Sequence, residues 1–350
     1  MIMEQERLQE FDLLRTVAAL TVIGIHVSAS YVYTSIWGCL ANQFARFAVP
    51  LFIIMSGFLL FNADQRRDSF SAADFYRRRF GKILWPYFLW SLFYCCLTGV
   101  LGSDLFPALL RFPSQLLWGN AYYHLYFVII IIQMYILYPL LYRWLLRSPR
   151  LCLLTALALT LGCQLILNAQ TRGQIIFNQT MSNLFLVVFP VWIFFFVFGM
   201  AAALYHKSWS GFIRDRRLWL GLLWVFSLAL VIGDGYVNNI FGSSSRPTVT
   251  LYTVCSYFFF YSLAQHYRGH FRAAVDWISR QSFLIYLLHP LVLTALVTSA
   301  GVLGYPDLWN RTRGMIALYL LVTLLSFAAV YVVSLTPLAE KLGGVRRRRA

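Results

Sequence analysis

Arg15 and His26 are ionisable side chains inside one continuous apolar stretch, eleven residues apart. At about 1.5 Å and 100° per residue, that spacing separates them by roughly 16 Å along a helix and by about 20° around it. Both therefore face the same way. Histidine titrates nearest neutrality and can act as a general base or a nucleophile. Arginine stays charged and grips phosphate or carboxylate oxygens with a planar fork. The same search selects His289, which follows Tyr286 and precedes Pro290, and His124, which lies among Asn120, Tyr122, Tyr123 and Tyr126. Each has a plainer reading. Arg15 can be a charge paired with Asp12 near a helix end, and His26 a neutral core imidazole. His124 can belong to an aromatic belt, and His289 to a proline kink with a local hydrogen bond. Ser56-Gly57 can serve close helix packing alone. The shared face of Arg15 and His26 weighs against both being bland.

The elements that must carry these residues follow from composition. Of 350 residues, 60% are hydrophobic and 12% charged, against about 25% charged in an average soluble chain. That excludes a soluble globular enzyme, which needs more polar surface. Ten continuous apolar segments are long enough to cross a bilayer, at 11–33, 44–61, 83–101, 124–142, 151–168, 183–205, 218–233, 248–265, 281–300 and 314–336. They lack the ten-residue alternation of a membrane β-barrel. The fold class is all-α, a polytopic membrane bundle of about ten helices.

Of the 29 Lys and Arg residues, 22 fall in the terminal segments and alternate loops of one side and 5 in the opposite loops. Positive charge stays inside, so both termini are expected in the cytoplasm, in the plasma (inner) membrane. The net charge of +16 is thereby explained by topology and anionic lipid headgroups, without nucleic acid. Arg7 and the Arg346–Arg349 run fit the same pattern. The first apolar run follows acidic residues and contains Arg15 and His26, so it is not expected to be a cleaved signal. No carboxylate falls in the middle of a predicted span, which weighs against a proton-coupled transporter. Six cysteines show no metal-ligand spacing and no disulfide framework. A single membrane domain over 8–338 and a basic cytoplasmic tail over 339–350 are expected.

Several motifs recur in order. They are Arg15-x10-His26, Arg46-Phe-Ala-Val-Pro50-Leu-Phe-Ile-Ile-Met-Ser56-Gly57-Phe58, the basic run Arg77-Arg78-Arg79-Phe-Gly-Lys82, Tyr123-His124-Leu-Tyr126-Phe127 and Ser282-Phe-Leu-Ile-Tyr286-Leu-Leu-His289. Together they make the chain resemble the acyltransferase-3 family of integral membrane acyltransferases, over about residues 8 to 338. Within it, the chain looks most similar to single-domain polysaccharide O-acetyltransferases such as those of enterobacterial common antigen. Lys82 stands where the family often has Arg, and Tyr126 where it often has Trp.

The resemblance implies a cytoplasmic acyl-CoA donor, acetyl-CoA being the simplest, and a glycan or lipid-linked sugar as acceptor. His26 is then the general base for a sugar hydroxyl, or is itself acylated. Arg15, with Arg77, Arg78, Arg79 and Lys82, would hold the phosphates of CoA. For the four loop cations the competing reading is topology alone. His124, Tyr123 and Tyr126 would contact the acceptor, and Ser56, Tyr286 and His289 would support the site. No intramembrane carboxylate is available to orient His26, so a backbone carbonyl, a Tyr or Ser, or an infolding Asp12 must do so. No bound cofactor and no metal are expected; acyl-CoA is a co-substrate. Two other classes remain open: a carrier or flippase for a lipid-linked glycan, and a non-catalytic membrane scaffold.

Overall fold

A computed structural model describes residues 8–67 and 69–343. Arg7 and Arg346–Arg349 lie outside the described residues. Among those described there are helices and no strands. The first half comprises α1 (Gln9–Ser28), α2 (Ile36–Ala45), α3 (Ala48–Gln65), α4 (Ala72–Leu101), α5 (Leu105–Trp118), α6 (Tyr126–Arg147) and α7 (Pro149–Thr171). The second comprises α8 (Gln179–Val187), α9 (Ile193–Leu204), α10 (His206–Arg214), α11 (Arg217–Asn238), α12 (Pro247–Gln265), α13 (Arg272–Val302), α14 (Thr312–Ser334) and α15 (Ala339–Gly343).

Among the described residues, eight helical stretches are long and apolar enough to cross a membrane, α2 and α3 counting as one. Of the other two expected segments, one is broken and one is a continuous but less apolar helix. The run 183–205 is one apolar block in sequence, yet it divides into α8 and α9 at Phe189-Pro190, because proline has no N–H to continue the ladder. The broken backbone is satisfied by neighbours. Gln133 donates to the Val187 carbonyl at 2.8 Å and accepts from the Phe189 N–H at 2.9 Å. Thr160 donates to the Pro190 carbonyl at 2.9 Å. Irregular backbone at membrane depth is stable only when protein supplies such partners. The segment 248–265 is the single helix α12, whose Thr250, Thr253, Ser256 and Ser262 are buried and lower its hydropathy.

The most intimate packing joins α3 and α9. A Cβ on Gly57 would lie 2.1 Å from the Phe196 carbonyl oxygen, and one on Gly199 would lie 2.0 Å from that of Ile54. The two backbones touch, as small residues allow between membrane helices. Gly57 therefore serves packing, while Ser56 beside it points elsewhere. Between α5 and α6, Gly119 adopts φ +68, and a Cβ there would meet Tyr126 Cα at 2.9 Å. That left-handed residue ends α5 and turns the chain into the 120–125 loop, which drops His124 among the helices.

Candidate active site

Three histidines far apart in sequence meet in the bundle. His26 of α1 has its ring centroid 5.2 Å from that of His289 on α13, and His289 lies 6.0 Å from His124. His289 and His124 are buried, at 0% and 1% exposure, whereas His26 is half-buried. His289 Nδ1 is 3.0 Å from the Ile285 carbonyl. A carbonyl only accepts, so Nδ1 carries the proton and Nε2 holds a lone pair. That Nε2 is buried without a partner among the described residues. Tyr286 donates its hydroxyl to the His124 carbonyl and fixes the loop on α13. Tyr94 of α4 stacks on Tyr122 at 4.3 Å and donates to the Leu287 carbonyl at 2.7 Å. The Tyr122 hydroxyl reaches Thr294 at 2.5 Å.

A cavity of about 390 Å³ opens on one side of this cluster. Arg15, Arg79, Lys82 and Arg280 line it, with Ser56, Ser279, Ser282, Tyr135 and Tyr286. Four cations and no carboxylate line its walls, among the described residues. The basic run is thus divided. Arg79 and Lys82 are three residues apart on α4 and share a face, whereas Arg77 is exposed and away from the cavity. Arg78 lies 3.8 Å from Asp64, which also accepts from Tyr138 at 3.1 Å and pairs with Arg67 at 3.0 Å. Asp12 accepts from Ser279 at 2.6 Å; it sits three to four turns along α1 from His26 and cannot orient that ring.

A second cavity of about 760 Å³ lies on the other side. Its walls carry Tyr122, Tyr123, Tyr126, Trp118 and Trp192, with Asn120, Asn183, Ser243 to Ser245 and Arg46. Tyr123 connects it to the cluster, its ring 4.9 Å from that of His26. Along α6 the two cavities are one residue apart, since Tyr126 faces the larger and Phe127 the smaller. None of the three histidines lines either cavity: His26 meets the larger through Tyr123, and His124 and His289 pack against Tyr286, which lines the smaller, with Tyr94 beside His124. Among the described residues no group of three His, Cys, Asp or Glu side chains has metal-binding geometry.

The structure adds residues the sequence reading does not single out. Arg280 is legible there only as a loop charge, Arg46 only as part of a motif, and Tyr94 not at all. Only the position of Arg280 just before Ser282 hints at its place.

The family model described as an acyltransferase domain matches residues 8–335. The chain belongs to the acyltransferase-3 family. Among curated proteins, this family member is 25% identical over 298 residues to a Bacillus subtilis (strain 168) protein provisionally named membrane-bound acyltransferase YfiQ, covering 81% of this chain and 80% of the relative. It is 25% identical over 261 residues to a Staphylococcus aureus (strain MSSA476) protein provisionally named as a poly-β-1,6-N-acetyl-D-glucosamine export protein, covering 71% and 70%. A Staphylococcus epidermidis protein of the same name is 27% identical over 260 residues, covering 71% and 69%. No solved structure matches significantly. The acyltransferase-3 chain is a multi-pass membrane acyltransferase.

Proposed function

We propose that the protein is an O-acyltransferase of the plasma membrane that moves an acyl group from cytoplasmic acyl-CoA, acetyl-CoA in the simplest case, to a hydroxyl of a glycan or lipid-linked sugar. The observation that carries this reading is the histidine cluster, joined through Tyr286 to a cavity lined by four cations and, among the described residues, no carboxylate, and through Tyr123 to an aromatic, hydroxyl-rich one. Arg15, Arg79, Lys82 and Arg280 suit the several phosphate charges of CoA. The roughly 16 Å from Arg15 to His26 suits an extended thioester arm.

In the direct route His26 takes the proton of the acceptor hydroxyl as its oxygen bonds to the thioester carbon. The C–S bond then breaks, and CoA leaves as a thiolate that recovers a proton. His289 is the positioning residue for His26. Its lone pair at Nε2 can accept from a protonated His26 nitrogen, a role for which no carboxylate is at hand. In the covalent route His26 carries the acyl group between donor and acceptor.

A carrier without acyl chemistry is the second reading, favoured by the name of the staphylococcal relatives. Mass spectra of surface glycans from cells with and without the protein separate the two. A mass increment equal to an acyl group, lost in His26→Ala cells, supports transfer. Unmodified glycan that fails to reach the surface supports a carrier. Reporters after Ala350 and near Ser243 are expected on the cytoplasmic and external sides respectively, as positive-inside topology requires.

A further inference from the structure

Arg46 lines the larger cavity, and a second buried arginine, Arg246, follows the cavity's Ser243 to Ser245 in the chain; their surroundings differ. Arg246, 0% exposed, has a carboxylate at hand: its Nη1 is 3.2 Å from Asp234. Its other donors reach Gln43 Oε1 at 2.5 Å and the Ser243 carbonyl at 3.1 Å. Arg46, 6% exposed, has none. Its Nη1 donates to the Gly242 carbonyl at 2.7 Å and its Nη2 to Asn42 Oδ1, both neutral acceptors. Its Nε is buried with no partner, and among the described residues no carboxylate lies within ion-pairing distance. A guanidinium removed from water without an opposing charge is costly, and such a group is normally paired. Among the described residues, the cavity that Arg46 lines holds no Asp or Glu, and offers asparagines, serines and aromatic faces instead.

We infer that Arg46 is the anion subsite of the acceptor cavity: the acceptor carries a carboxylate or phosphate next to its sugar, and Arg46 Nε binds it. The inference rests on reading that cavity as the acceptor site. It narrows the acceptor class to acidic sugars or sugars joined through phosphate. Tyr123 and Tyr126 supply faces for the ring, and Ser243 to Ser245 supply hydroxyl oxygens, so that charge and stacking are recognised in one place.

Ligand-observed NMR titrations of the full chain in nanodiscs test this with four probes: glucose, glucose 1-phosphate, glucuronate and inorganic phosphate. Both anionic sugars are expected to bind about 10-fold or more tightly than glucose, as a charge-assisted hydrogen bond confers. The tighter of the two tells phosphate from carboxylate. Arg46→Gln should bring all three sugars to within about 2-fold of one another, and Arg46→Lys should keep part of the preference. If Arg46→Gln proves unfolded by thermal melting, the comparison among probes on the parent protein decides alone. Equal binding of glucose, no binding of any sugar, or inorganic phosphate binding as tightly as glucose 1-phosphate (an adventitious ion only) overturns the inference. Thiol release from acetyl-CoA is followed in the same preparation. Its absence alongside an intact sugar preference rejects acyl transfer and leaves the anion subsite standing.

Discussion

The smaller cavity is walled by cations that are mostly half-buried or exposed, the larger by aromatic rings around one buried arginine. On the proposed function, the contrast is how one bundle would handle two unlike substrates. Cations within reach of water suit a multiply charged ligand that must enter and leave quickly, since each contact is individually modest. Fixed rings and a desolvated guanidinium suit a ligand chosen by shape and by one charge. The helices that separate the two also serve both. Arg46 lies just before α3 and Ser56 midway along it, and Tyr126 and Phe127 point apart on α6.

The largest expected effect falls where the two regions meet. His26→Ala should reduce acyl transfer about 10²- to 10⁴-fold while membrane abundance stays near that of the parent, because it removes a positioned base. Transfer within a few-fold of the parent would make His26 a core imidazole and leave the cavities unconnected. Arg15→Ala and Arg79→Ala come next. Each should raise the Michaelis constant for acyl-CoA about 10- to 150-fold, and less for donors lacking the nucleotide phosphates. Arg77→Ala, off the cavity, should do less than either. Equal effects for all three would show that the run acts through overall charge, and the distinction between cavities would lose its sharpest line.

Gly199→Ala tests the wall rather than the ligands. The new methyl group meets the Ile54 carbonyl, so α3 and α9 must separate, at about 1–3 kcal/mol by the measure of overpacked cores. A lowered melting temperature with both Michaelis constants disturbed is expected. The smallest change is Tyr122→Phe, which removes the hydroxyl bond to Thr294 and should cost about 0.5–1.5 kcal/mol. It should weaken acceptor use more than acyl-CoA binding.

Much of this architecture is legible in the residues themselves. The apolar runs and basic loops mark the spans, and the eleven-residue spacing places Arg15 and His26 on one face. Helical periodicity already separates Arg79 and Lys82 from Arg77, though a run of like charges invites reading it whole. Hydropathy alone hides the break at Phe189-Pro190, because the flanking residues are apolar throughout and the partners that permit it, Gln133 and Thr160, lie on other helices. His124 and His289 are 165 positions apart, so their meeting depends on how α13 packs beside the 120–125 loop. The isolation of Arg46 is invisible for the same reason: its partner Gly242 is 196 positions away, and the lack of a carboxylate is a property of space, not of spacing.

Purified protein in nanodiscs, supplied with acetyl-CoA labelled in its acetyl group and with glycan-bearing membrane extract, tests the central claim most directly. Label is expected to pass into the glycan with release of one free CoA thiol per acetyl group transferred, and His26→Ala is expected to abolish both together. Glycan that crosses the bilayer while the thioester stays intact, in the parent and the variant alike, would contradict acyl transfer through the histidine cluster.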